Sequence, residues 1–235
     1  MVEIAPIRKI SLWIFFLPLM GINLCLFISI NFHLLENTIF VVDQIGRSKF
    51  SIPYIDGSLS ISRASRTFPA YLIFKPTMLI TSLLLYFYWK NNNTLINGFN
   101  STNKNYKFKI FGILSAVFLA LHSILLGVEF DIKFFKLLRR IVLLSFIIFE
   151  IVSQSLLVFE LYKLKLKIKK IINPFILKIK ICLVFILSSV AVLSLPMLVT
   201  KGNVHFKHAL EWNYFLGVIA FYLLTYLFWK KKQTT

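Results

Sequence analysis

Residues 181–199, Ile181-Cys-Leu-Val-Phe-Ile-Leu-Ser-Ser-Val-Ala-Val-Leu-Ser-Leu-Pro-Met-Leu-Val199, contain no charged side chain. A helix of that length matches the hydrocarbon core of a bilayer, about 30 Å thick, at about 1.5 Å of rise per residue. Such a run reads as a membrane span. Five others of the same kind, about 10–31, 70–89, 110–128, 141–161 and 210–229, bring the expected crossings to six. Inside lipid no water is present to bond the backbone, so each run must be helical. The expected fold is an all-α polytopic membrane protein, a six transmembrane helix bundle forming a single domain over 1–235. Residues 32–69 form its one long outer loop, read as a cap.

Composition agrees with this reading. Of the chain, 58% is apolar or aromatic and 15% is charged, with a mean hydropathy of +0.78; soluble domains run at about 45–50% and about 25%. The net charge of +18 raises nucleic acid as a partner, but the lysines lie between the apolar runs and beside their ends. There they fit anionic lipid headgroups, so membrane lipid is the expected partner, nucleic acid is not, and no protein partner is indicated. Alternate connections carry 16 and 11 of the 27 basic residues, the larger share on the side of both termini. The positive-inside rule makes that side cytoplasmic. The membrane is then an endomembrane or plasma membrane in a eukaryote, or the inner membrane in a bacterium. The first run follows Arg8 and Lys9, is too long for a cleaved signal, and reads as a retained signal anchor.

Smaller features add expectations. Cys25 and Cys182 both lie in apolar runs and read as buried thiols rather than a disulfide or zinc pair. Two glycosylation sequons, Asn92-Asn-Thr94 and Asn100-Ser-Thr102, fall in a loop placed on the cytosolic side, where glycan would overturn the topology. The alternating segment Lys163-Leu-Lys-Leu-Lys-Ile-Lys-Lys170 reads as a surface segment on anionic headgroups or as a solvated extension of the fourth span.

Ionisable groups within spans cost of order 3 kcal/mol and are candidates for function. Glu150 lies mid-span with Ser153 and Gln154 one turn on, His122 lies within the outer part of the third span, and Glu211 opens the sixth. These three are the candidate catalytic groups, in a shared outward-facing polar cavity; the competing reading is an interhelical hydrogen-bond cluster that holds the bundle together. The spacing His205-x-x-His208-x-x-Glu211, with His33 and Glu36 on the same side, offers weak metal ligands, and no metal site is expected from it because His205 precedes the expected helix. The chain has no phosphate loop, nucleophile elbow or redox cysteine pair, and no cofactor is expected.

The outer loop is the most distinctive sequence: Ile52-Pro-Tyr-Ile-Asp-Gly-Ser-Leu-Ser-Ile-Ser-Arg-Ala-Ser-Arg-Thr-Phe-Pro69. Its prolines, the Asp56-Gly57 turn and its serines favour an ordered cap. Asp56, Arg63, Arg66 and Glu211 are the candidate ligand-binding residues. The arginines either take a phosphate headgroup or pair with Asp43, Asp56 or Glu211.

At these residues the chain resembles the family of damage-regulated autophagy modulators, the FRAG-type GPI-anchor remodelling factor and the yeast SFK protein. The likeness is carried by Pro53 to Gly57, Ile61-Ser62, Pro69-x-x-x-Ile73-Phe74, the aromatic close Tyr86 to Trp89, and the last span from Ala209-Leu-Glu-Trp-Asn-Tyr214 to Trp229. It implies six spans with cytosolic termini, and a role in lipid or GPI-anchor handling, trafficking or autophagy, without implying catalysis. The residues leave three readings open: a non-enzymatic lipid-binding or lipid-organising protein, an intramembrane lipid-modifying enzyme with an acid/base or metal site, and a small transporter, for which Pro76 and Pro196 near helix ends are the signal.

Overall fold

The computed structural model describes residues 4–35, 38–39, 50–66, 68–101, 103–128, 133–199 and 202–230. Six of its helices are long and apolar enough to cross a membrane. They are α1 (Ala5–Ile30), then, after the short cap helices α2 (Pro53–Asp56) and α3 (Ile61–Arg66), α4 (Tyr71–Asn100), α5 (Lys107–Leu125), α6 (Lys133–Lys163), and, after the single turn α7 (Lys165–Ile168), α8 (Pro174–Val199) and α9 (Val204–Phe228). Among the described residues the one β contact is an isolated bridge between Ile172 and Trp229. The protein is a multi-pass membrane protein.

The helices form a closed ring in chain order, α1 against α4, then α5, α6, α8 and α9, with α9 returning to α1. Apolar faces do not drive helices together in lipid, so close approach depends on small residues and polar contacts. Three glycines mark such approaches: Gly21 faces Thr77, Gly112 lies flat against the Trp89 ring, and Gly217 meets Leu187. Arg8 near the start of α1 donates to the Tyr226 carbonyl near the end of α9 at 3.3 Å, which places the start of α1 and the end of α9 on one side of the bundle. That side is called the terminal side, and the other the cap side.

The two sides differ in filling. Toward the terminal side an aromatic core of Tyr88, Trp89, Phe108, Phe221, Tyr222, Phe228 and Trp229 is almost fully buried. The chain end is tied across it, with the Asn173 amide donating to the Phe228 carbonyl at 2.8 Å and the Lys230 amide to Ile171 at 3.0 Å. On the cap side α2 packs on α9, and α3 packs mainly on α1.

Several helices outrun the expected spans. Past Trp89, α4 continues to Asn100, so Asn92 is a helix residue, 1% exposed, with its side chain donating to the Tyr88 carbonyl at 2.8 Å. The folded bundle leaves no room for glycan there. At the second sequon Asn100 donates to the Tyr106 hydroxyl at 3.0 Å, and Thr102 lies outside the described residues. The lysine-rich segment is a helical turn: Leu161, Leu164, Ile168 and Ile172 are buried at helical spacing while Lys167, Lys169 and Lys170 are exposed. Two expectations are corrected. Cys182 is exposed on the bundle's outer face, since only Cys25 falls on the buried stripe of its helix. Lys180, counted with the basic connection 162–180, lies inside α8 and is fully buried.

A methyl group at Gly112 would overlap ring atoms of the buried Trp89, whereas one at Gly217 would meet the movable end of Leu187 at 2.7 Å. Gly112→Ala is therefore expected to lower the thermal unfolding temperature in detergent, by the about 1–3 kcal/mol of an overpacked core. Gly217→Ala is expected to leave it nearly unchanged.

Candidate functional site

The hollow beneath the cap is a cavity of about 440 Å³ walled by α1, α3, α4, α5, α6, α8 and α9. Ligand pockets run from about 300 to about 1,000 Å³. Its walls are mostly apolar, with Ile14, Ile22, Met78, Leu85, Leu119, Phe146 and Phe215 among them. Polar groups sit at two levels. Glu150 and Tyr222 form the floor; Ser62, Lys207, His208 and Glu211 stand under the cap, and His122 lines the wall. The three candidate acid/base residues, Glu150, His122 and Glu211, thus border one space although they come from three helices.

Glu150 is 1% exposed. Its Oε2 accepts from Ser115 of α5 at 2.6 Å, and its Oε1 accepts from Gln154 at 2.9 Å and from the Tyr222 hydroxyl of α9. Gln154 also donates to the Val218 carbonyl at 3.3 Å, while Ser153 turns back to the Glu150 carbonyl at 2.8 Å. One carboxylate therefore ties α5, α6 and α9 together at the depth where the solid half meets the hollow one. The shared cavity and the interhelical cluster, alternatives in the sequence, are two faces of the same residue.

His122 packs edge-to-face on Phe74, with ring centroids 6.4 Å apart, and its buried Nδ1 has no partner among the described residues. Glu211 lies beside the Ser62 backbone, where α9 meets α3. The His205/His208/Glu211 spacing lies wholly within α9, which begins before His205. His205 is exposed, while His208 Nδ1 bonds the Gly57 carbonyl at 3.0 Å. His33 is exposed and Glu36 lies outside the described residues. Among the described residues no three histidine, cysteine or acidic side chains gather as a metal site.

The cap is fixed by its own turn and by α9. Asp56 accepts from the Ser58 and Ile52 amides, both at 2.8 Å, and Gly57 follows with φ +60. These amides, Ser58's first, hold the Asp56 carboxyl below the usual carboxylate range. A Cβ on Gly57 would overlap the His205 carbonyl oxygen, so only glycine fits there. The Trp212 indole donates to the Leu59 carbonyl at 2.7 Å, Asn213 to the Tyr54 carbonyl at 2.7 Å, and the Tyr54 hydroxyl to Asn23 at 3.1 Å. Asp56 thus serves the loop backbone and faces solvent. Arg63 is exposed near His208, and Arg66 donates to the Ser62 hydroxyl at 3.0 Å. Asp43 lies outside the described residues. Of the candidate ligand residues, Glu211 alone borders the cavity.

Lys180 is absent from the residues that the sequence singles out. Its Nζ donates to the Thr225 hydroxyl at 2.7 Å and lies 3.9 Å from the centre of the Phe221 ring. A signal for it was present: Pro174 starts a helix well, and from there Lys180, Val184 and Leu187 fall on one buried stripe.

Comparison of the chain with family models, with curated proteins and with solved structures finds no match in any of the three.

Glu150→Ala removes the acceptor of three donors. Two of them, Ser115 and Tyr222, come from other helices, and interhelical hydrogen bonds in membranes average about 0.6 kcal/mol each, so the loss is expected to be roughly 1 kcal/mol, seen as a lower unfolding temperature in detergent. Glu150→Gln retains an acceptor and is expected to lose less.

Proposed function

We propose that the protein binds a membrane lipid by drawing one apolar chain into the cavity beneath the cap, as a non-enzymatic lipid-binding or lipid-organising protein. The observation that carries this reading is the cavity itself: about 440 Å³ of mostly apolar wall at membrane depth, with charged and titratable side chains at its floor and roof and His122 on its wall. A cavity of about 150 Å³ already takes benzene. Leu144 and Ile148 on α6 line the cavity and are also 41% and 53% exposed, so a chain enters from the bilayer between α6 and α8. The headgroup then stays at the cap, near Ser62, Lys207, His208 and Glu211. The enzyme reading has less support, because both oxygens of Glu150 are already engaged.

On the terminal side, Lys163, Lys167, Lys169 and Lys170 are exposed around α7 and attract anionic headgroups, each by about 1 kcal/mol near a charged surface. With the positive-inside rule this supports a cytosolic terminal side and an external or lumenal cap. The resemblance to the autophagy-modulator and GPI-anchor remodelling family points toward lipid handling as well, and a trafficking role rests on that resemblance.

Two experiments test the proposal. Protein purified in mild detergent is expected to carry lipid detectable by mass spectrometry, and Ala191→Trp, which fills the cavity wall, is expected to lose it while keeping a cooperative unfolding transition. Equal lipid content in both proteins would refute cavity binding. For orientation, Ile55→Cys on the cap and Lys104→Cys on the terminal side are introduced into a Cys182→Ser background. An impermeant maleimide applied to intact cells or to sealed vesicles of known sidedness is expected to label Ile55→Cys from the non-cytosolic side and Lys104→Cys only once the membrane is opened.

A further inference from the structure

Two polar side chains that border the cavity have bonding capacity that the fold leaves unused. His122 lines the wall, and its buried Nδ1 meets no partner among the described residues. Glu211 stands at the roof beside the Ser62 backbone; the described ion pair, Lys163 with Glu160, lies elsewhere. Buried polar atoms are nearly always satisfied, and an exception calls for a cause such as an occupant of the site. Resting on the lipid-binding reading of the cavity, we propose that the ligand is an uncharged lipid alcohol of the diacylglycerol class, with its hydroxyl held between Glu211 and His122.

A hydroxyl is donor and acceptor at once, and these two side chains complement both halves. A Glu211 oxygen accepts the O–H whether or not the carboxyl is ionised. The His122 ring, with its hydrogen on Nδ1, donates to the hydroxyl oxygen, while Phe74 packs edge-to-face on the imidazole. Both side chains sit inside the bundle at the depth of a headgroup just below the cap. His122 is in the last turn of α5, and Glu211 lies about 10 Å along α9 from its cap-side start at Val204, at about 1.5 Å per residue.

Charge selects against the common membrane lipids. An anionic headgroup would share the space with two acidic side chains, Glu150 and Glu211, against Lys207. A cationic headgroup would lie against a basic rim, because Lys207 is at the roof and Arg63 and His205 stand near His208. An uncharged hydroxyl meets neither penalty. The entry between α6 and α8 takes one chain, so the second chain of a diacylglycerol stays in the bilayer.

The test uses the full chain in mixed micelles of mild detergent and phosphatidylcholine, with a diacylglycerol that carries a diazirine in one acyl chain as the probe. Crosslinking is read by mass spectrometry against three unlabelled competitors with the same chains: dioleoylglycerol, phosphatidic acid, and the 3-O-acetyl derivative, which has no proton to donate. Wild type is expected to be crosslinked on the cavity wall, with dioleoylglycerol competing about ten-fold better than either of the others, the ratio set by one charge-assisted hydrogen bond. Glu211→Leu and His122→Phe are each expected to erase that preference while the apolar chain is still taken up. The comparison of competitors needs no substitution, so it stands whether or not a variant folds. No crosslinking of wild type, equal competition by all three lipids, or a preference for phosphatidic acid would overturn the hydroxyl assignment. If Ala191→Trp abolishes crosslinking in the last two cases, cavity binding itself survives; crosslinking that Ala191→Trp leaves intact would overturn both.

Discussion

Lipid offers the backbone no hydrogen-bond partner, and this constraint governs the whole bundle. Every crossing has to be a helix, and helices immersed in hydrocarbon gain nothing by hiding apolar surface from a solvent that is itself apolar. The ring must be held by other means. Glycines at Gly21, Gly112 and Gly217 let neighbours approach to contact distance, and Glu150 binds donors from three helices. The same residue sits at the edge of the hollow, so cohesion and the candidate site share one carboxylate.

The contrast between a solid terminal half and a hollow cap half arises from where the aromatic residues fall. Tyr88, Trp89, Phe221, Tyr222, Phe228 and Trp229 lie toward the terminal side and fill the interior there. Toward the cap the facing side chains are mostly Ile, Leu and Met, with Ala191 and Ser194 contributed by α8, and these leave a gap. The cap roofs that gap with Ile61 and Ser62, and it is held there by polar contacts with the first turns of α9 and with Asn23.

The spans were legible because runs such as 181–199 have no alternative in water or lipid. Helix ends were less so: polar starts and tails, as in α4 beyond Trp89 and α9 before Ala209, carry no hydrophobic signal, and hydrogen bonds among Asn93, Asn97, Lys104 and Tyr106 extend order past the membrane. Within the candidate site, Glu150, His122 and Glu211 stand out in sequence as ionisable groups in apolar runs, yet nothing there says that they share a space. Lys180 was hidden by company, since it follows the basic residues Lys163 to Lys178 and looks like part of a surface. Tyr88 and Tyr222 resemble interface-belt aromatics until their partners are known. Asp56 drew attention as a charge in an unusual loop, and its carboxylate is taken up by two amides of that loop.

The seating of Gly57 has a kinetic consequence. With the His205 carbonyl standing where a side chain would be, and Trp212, Asn213 and His208 bonded to the same loop, residues 54–59 can leave α9 only by breaking several contacts at once. For the lipid binding proposed above, exchange would then go through a parting of α6 from α8, a collective helix motion of the class that takes microseconds to milliseconds. The residence time of such a lipid would be a property of the bilayer as much as of the protein, because lateral pressure acts on those two helices.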